Sequence, residues 1–160
     1  MSVKLVRYIS LALLIAWMGV IFCFSAQDEK DSAKVSEGVV VKVAEVVYPD
    51  YEKLEEPQKK EVLDKFYMPI RKAAHFFEFF VLAGIAFVFF LTFKKLSGKS
   101  KILLPLCFSV IYALSDELHQ SSVAGRACRF TDVCIDSAGV LLAVLIAFLI
   151  IRKTRGDKIG

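Results

Sequence analysis

The chain has 160 residues, 56% of them hydrophobic, a formal charge of +4 and a mean hydropathy of +0.56. That is one domain's worth of chain, and it is too apolar for an ordinary soluble domain. The basic residues sit at the ends of apolar runs, where membrane topology accounts for them, so nucleic acid is excluded as a partner. No glycine-rich phosphate loop, zinc-ribbon cysteine spacing or internal repeat is present.

The first apolar run, Leu5–Phe24, has the length of a membrane-spanning helix, about 20 residues. The junction "CFSAQ" is a poor cleavage site, with Phe24 where a small residue is wanted, so the run is read as a retained span. Residues 25–70 form an insert of two amphipathic surface helices. In the first, Val35, Val39, Val43, Val46 and Val47 recur at helical spacing, and Pro49-Asp50 end it. Glu56-Pro57 opens the second, with Val62 and Phe66 on its apolar side, and Pro69 closes it. The remaining spans are expected at about 73–93, 102–120 and 132–151. The clean apolar part of the third is too short to cross, so its helix must continue through Asp116, Glu117, His119 and Gln120. Of the four cysteines, Cys23 and Cys107 lie inside apolar runs. Cys128 and Cys134 are close enough in sequence for a disulfide or a metal, but they match no standard metal or redox spacing and are read first as unpaired small residues.

The expected fold is therefore all-α: a polytopic membrane bundle of four transmembrane helices with an amphipathic helical insert between the first and second. Lys4 and Arg7, the acid-free loop holding Lys94, Lys95, Lys99 and Lys101, and the basic C-terminus all fall on one side. The positive-inside rule makes that side cytoplasmic, with both termini there and the insert extracytoplasmic. The lysines of 25–72 nearly balance a raw count. The first helix and the acid-free loop decide the assignment.

Ionisable residues then gather at the other end. Arg71, His75 and Glu78 share a helix face, as do Asp116, His119 and Gln120, with Glu117 turned aside. Arg129, Asp132 and Asp136 share one at the start of the last span, with Gly139 a turn deeper. A charge inside the bilayer costs about 2.5–3.5 kcal/mol even on the lenient insertion scale, so it is kept where it faces protein or water and usually serves a function. The competing reading is that these groups pair off as interhelical glue.

The stretch "RKAAHFFEF" followed by "SDELHQSSVAGRACRFTDVCIDSAGVLL" resembles the VanZ-like family. Its members carry Arg-Lys-x-x-His-x-x-Glu at the start of one span, which here falls on Arg71, Lys72, His75 and Glu78. Asp-Glu-x-x-Gln at the end of the next falls on Asp116, Glu117 and Gln120, and a glycine-arginine turn falls on Gly125 and Arg126. Asp-x-x-x-Asp-x-x-Gly falls on Asp132, Asp136 and Gly139, and "FSAQ" (Phe24–Gln27) looks like the family's end to its first span. The resemblance implies a bacterial cell-envelope setting and a link to low-level resistance to teicoplanin, a lipid-tailed glycopeptide antibiotic. It supplies no reaction.

Two functions follow as expectations. In the first, Arg71, Lys72, His75, Glu78, Asp116, Glu117, Gln120, Arg126, Asp132 and Asp136 form an outward-facing binding cluster. Its ligand is an anionic envelope molecule, such as a lipid-linked cell-wall precursor or a phospholipid headgroup, because arginine recognises phosphate and carboxylate by paired hydrogen bonds. In the second, the protein is a membrane hydrolase or transferase on such a lipid, with His75, Glu78, Asp116 and His119 as the candidate acid–base groups, or as ligands of a catalytic metal. No metal motif is assigned, the cofactor is open, and an oligomer is compatible with both readings.

Overall fold

The computed structural model describes residues 2–123 and 129–156, and the side chains of all of these except 29–35, 155 and 156. Gly125, Arg126 and Cys128 of the sequence reading lie outside the described residues. Among those described, the chain is helical throughout: α1 (Val3–Ser25), α2 (Glu29–Val47), a short 3-10 turn at Tyr51–Lys53, α3 (Glu56–Leu91), α4 (Ser100–Gln120) and α5 (Phe130–Gly156). Four of these helices, α1, α3, α4 and α5, are long and apolar enough to cross a membrane.

The helix limits follow from local chemistry. Ser2 caps α1, its hydroxyl accepting from the Leu5 amide at 3.3 Å. At the start of α3, Glu55 and Gln58 form a reciprocal capping box that spans Pro57, and Pro49 follows the end of α2. The structure corrects the reading of Pro69. It does not close the insert but lies inside α3, a single helix of 36 residues joining the second insert helix to the second span. Proline removes one N–H, which orphans the carbonyl of Lys65. Both residues are exposed, so the defect lies on an open side of the rod. At 1.5 Å per residue α3 is roughly 54 Å long, so its first third must project beyond a hydrocarbon layer of about 30 Å.

The core of the bundle packs Leu14 and Ile21 of α1, Phe79, Leu82, Ala83, Ala86 and Phe87 of α3, Ala113 of α4, and Val140, Ala143 and Val144 of α5. Small residues at these crossings let backbones approach closely, which is how helices associate where lipid removes the hydrophobic drive. Gly139 is the tightest case. A Cβ there would lie 3.3 Å from the Phe80 nitrogen and would overlap the Phe76 carbonyl oxygen. Outside, Tyr8, Ile15, Phe77, Ile111, Leu118 and Ile150 are exposed, an apolar surface suited to lipid.

A second, smaller core forms where α2 lies on the first third of α3, around Ala44, Tyr51 and Val62. This corrects the face assigned to α2. Val40 and Ala44 are buried, while Val39, Val46 and Val47 of the predicted stripe stay exposed. Both faces are apolar, and the small Ala44 side chain permits the closer approach.

Candidate functional site

Polar side chains tie the bundle at two levels. At one end the Arg7 guanidinium donates to the Thr92 hydroxyl (3.0 Å) and carbonyl (2.8 Å) and lies over the Phe93 ring, 4.2 Å from its centre. At the other end Ser25, the last residue of α1, is fully buried. Its hydroxyl donates to Asp116 Oδ2 at 2.7 Å, while Gln120 Nε2 donates to the same oxygen at 2.8 Å and contacts Ser25 Oγ at 3.2 Å. The two levels are 18 residues apart on α1, roughly 27 Å, which is about the thickness of a hydrocarbon core. Between them the Tyr112 hydroxyl donates to the Met18 carbonyl (2.7 Å) and the Trp17 indole to the Glu78 carbonyl (2.9 Å).

The second level holds most of the residues singled out by sequence. α3 contributes Arg71, Lys72, His75 and Glu78, all half-buried. Lys72 Nζ pairs with Asp132 Oδ1 of α5 at 3.0 Å, and His75 Nδ1 lies 3.6 Å from Glu78 Oε2. α4 contributes Asp116, Glu117 and Gln120, all buried. Here Glu117 departs from expectation: it is not turned aside. Its Oε1 accepts the Arg129 amide at 2.6 Å, at the N-terminus of α5, where the helix dipole favours an anion. The end of α4 is flanked by Ser25 of α1 on one side and by the start of α5 on the other, so two of its faces are inside. Arg129 itself points outward, contributing its backbone rather than its side chain to the contact.

Asp136 occupies the centre. It is only 1% exposed, and its Oδ1 has no hydrogen-bond partner. Asp116, Glu117, Asp132 and Glu78 are its carboxylate neighbours, and Arg71 lies near Glu117. By helix rise, Arg71 lies about 10 Å from the level of Glu78, and Asp132 about 6 Å from that of Asp136. The cations thus mark a rim and Asp136 a floor. His119 stands at the α1 margin, its ring stacked on Phe22 with centres 4.6 Å apart. Its buried Nε2 has no hydrogen-bond partner. Among the described residues no three histidine, cysteine or carboxylate side chains stand close enough to hold a metal ion together. Cys134 is a free, exposed thiol.

A profile of the VanZ/LLP1 family matches residues 10–151. The chain belongs to that family. No curated protein and no solved structure matches it. In this VanZ/LLP1 protein the described parts of the resembling segments meet at one end of the bundle. "FSAQ" delivers Ser25 to Asp116, and Asp-Glu-x-x-Gln supplies both the Ser25 triangle and the Glu117 contact to α5. Asp-x-x-x-Asp-x-x-Gly spaces Asp132, Asp136 and Gly139 along the α5 face that meets α3. Sequence reasoning missed Ser25 as a member of the site, because a serine ending an apolar run reads as a boundary. It also missed the Arg129 amide, since a backbone donor carries no residue-type signal.

Proposed function

We propose that this VanZ-like membrane protein resides in the bacterial envelope with both termini cytoplasmic. The cluster then opens outward and binds the headgroup of an envelope lipid, a lipid-linked wall precursor or a phospholipid. The observation that carries this reading is Asp136: a carboxylate oxygen buried without a partner among four further carboxylates. Such a group costs stability, so a purely structural cluster has no use for it. The acids outnumber the described cations, so a bare anion is a poor fit. A headgroup with a phosphate for Arg71 and Lys72, and hydroxyl or ammonium donors for Asp136 and its neighbours, matches both layers. Arg126, which the family resemblance adds to the binding set, lies outside the described residues. Altered access to such a lipid is the route by which the protein would modulate sensitivity to teicoplanin.

The test is direct binding. Purified protein in detergent is titrated with a lipid-linked disaccharide precursor and followed by native mass spectrometry. Arg71→Gln and Asp136→Asn are expected to weaken binding tenfold or more while the proteins stay folded. Unchanged affinity in both variants overturns the reading.

A second reading is favoured by the 3.6 Å approach of His75 Nδ1 to Glu78 Oε2, both half-buried. The two stand at ion-pair distance, and a small closure on ligand binding would make them a base with an orienting carboxylate, as hydrolysis or transfer on the bound lipid requires. His75→Gln would then abolish turnover of the same precursor while leaving its binding intact. Equal loss of both assigns His75 to binding alone.

A further inference from the structure

The opposite end of the bundle carries a groove that neither reading uses. It encloses about 450 Å³ between the end of α3, the α3–α4 loop, the start of α4 and the end of α5. Its walls include Leu91, Ile102, Phe148 and Ile151, and Lys99 and Lys101 stand at its mouth. The volume falls within the usual range of small-molecule sites, about 300–1,000 Å³.

Charge and depth define the occupant. Among the described residues of this end, about 1–15, 92–105 and 145–156, none is acidic. Neither Lys99 nor Lys101 joins an ion pair among the described residues. The positive end of the α4 dipole points the same way, and its first turn holds no acid. Lys101 lies 19 residues before Gln120 on α4, roughly 28 Å, so the mouth is at the headgroup level of one membrane face while the cluster is at the other. Beside the groove, Leu103, Leu149 and Ile150 are exposed apolar residues. An apolar slot that opens among lipid-facing residues, with two uncompensated ammonium groups at headgroup height, is complementary to one molecule class.

We propose that this groove is a binding site for an anionic phospholipid. Lys99 and Lys101 hold the phosphate, and an acyl chain lies along Leu91, Ile102, Phe148 and Ile151. Basic pockets between transmembrane helices recognise anionic headgroups in this way. The site is independent of the Asp136 cluster and does not depend on which face is cytoplasmic.

The experiment measures lipid retention by native mass spectrometry from mixed micelles containing phosphatidylglycerol and phosphatidylcholine in equal amounts. The wild-type chain is expected to retain one phosphatidylglycerol in preference to phosphatidylcholine. Lys99→Gln and Lys101→Gln should each reduce that preference roughly fivefold. Ile102→Trp, which fills the slot and keeps both charges, should abolish retention. Lys94→Gln, outside the lining, should leave it unchanged. The proposal is overturned by equal retention of the two lipids, by an equal loss in Lys94→Gln, which would mark a diffuse surface potential, or by displacement with millimolar inorganic phosphate, which would mark a phosphate site without a lipid slot.

Discussion

The close crossing of α3 and α5 makes Gly139→Ala a quantitative test of the fold. The added Cβ would overlap the carbonyl oxygen of Phe76 and sit 3.3 Å from the amide nitrogen of Phe80. Both are backbone atoms in the interior of a helix, so no side chain can rotate away and the helices must separate. Overpacking of this kind costs about 1–3 kcal/mol, and a backbone obstacle places it at the upper end. Alanine returns up to about 1 kcal/mol of helix propensity. The net expectation is a loss of about 2 kcal/mol, or roughly 4–8 °C in Tm for a chain of this size. Gly84→Ala is the control, because a Cβ there meets nothing within 4 Å and should gain the propensity without the clash. Unfolding in mixed micelles, followed by circular dichroism, reads both variants. If Gly139→Ala proves as stable as Gly84→Ala, the helices do not cross at Phe76 and the placement of Asp136 fails with it.

Other consequences are more local. Ser25→Ala removes one of the two donors to Asp116 Oδ2 and should cost about 1.5–3 kcal/mol by the same unfolding measurement, as expected for a hydrogen bond to a charged group. Arg7→Lys keeps the charge but cannot reproduce the fork to the Thr92 hydroxyl and carbonyl, so it should lower stability by about 1 kcal/mol or more, where an exposed Lys4→Gln change should not. In a cysteine-free background, single cysteines at Lys53 and Ser97 test the orientation. An impermeant maleimide on intact cells should label position 53 and spare 97, and the reverse pattern inverts the membrane topology.

The residues that the sequence made legible are those governed by helical period alone. Arg71, His75 and Glu78, and Asp132, Asp136 and Gly139, recur at three and four positions, so any helix containing them must present each set on one side. The four spans follow equally directly from run length. Glu117 was misplaced because period assigns a helix one inward face, whereas the end of α4 is enclosed from two directions. The valine stripe of α2 failed for a related reason: with two apolar faces, period alone cannot choose between them, and the side carrying Val40 and Ala44 is the one that is buried. Proline at 69 reads as a boundary on local sterics, but on the exposed side of a helix the lost hydrogen bond falls where water or headgroups replace it. Ser25 carries no periodic signal, and its role appears only once α1 and α4 are set side by side.

The cluster contains carboxylates of two kinds, and that difference yields the sharpest prediction. Asp132, Asp116 and Glu117 each have a structural partner: Lys72, the Ser25–Gln120 pair and the Arg129 amide. Asp136 has none at Oδ1, yet Gly139 three residues on draws α5 so close to α3 that residue 136 is carried into the interface. An apolar side chain at 136 would pack there without this penalty. Asp116→Leu should therefore destabilise the fold by about 1–3 kcal/mol, because it strands the buried Ser25 and Gln120 donors. Asp136→Leu should leave stability unchanged or raise it by about 1 kcal/mol or more, by removing an unsatisfied buried group, and Asp136→Asn, which keeps a buried polar side chain but removes a charge from among carboxylates, should not lower it. Both should lose ligand binding. Opposite signs of stability change from two buried carboxylates in one cluster separate a site held at a cost from a scaffold. If Asp136→Asn instead lowers stability by as much as Asp116→Leu, Asp136 is part of the scaffold and the binding role must lie elsewhere.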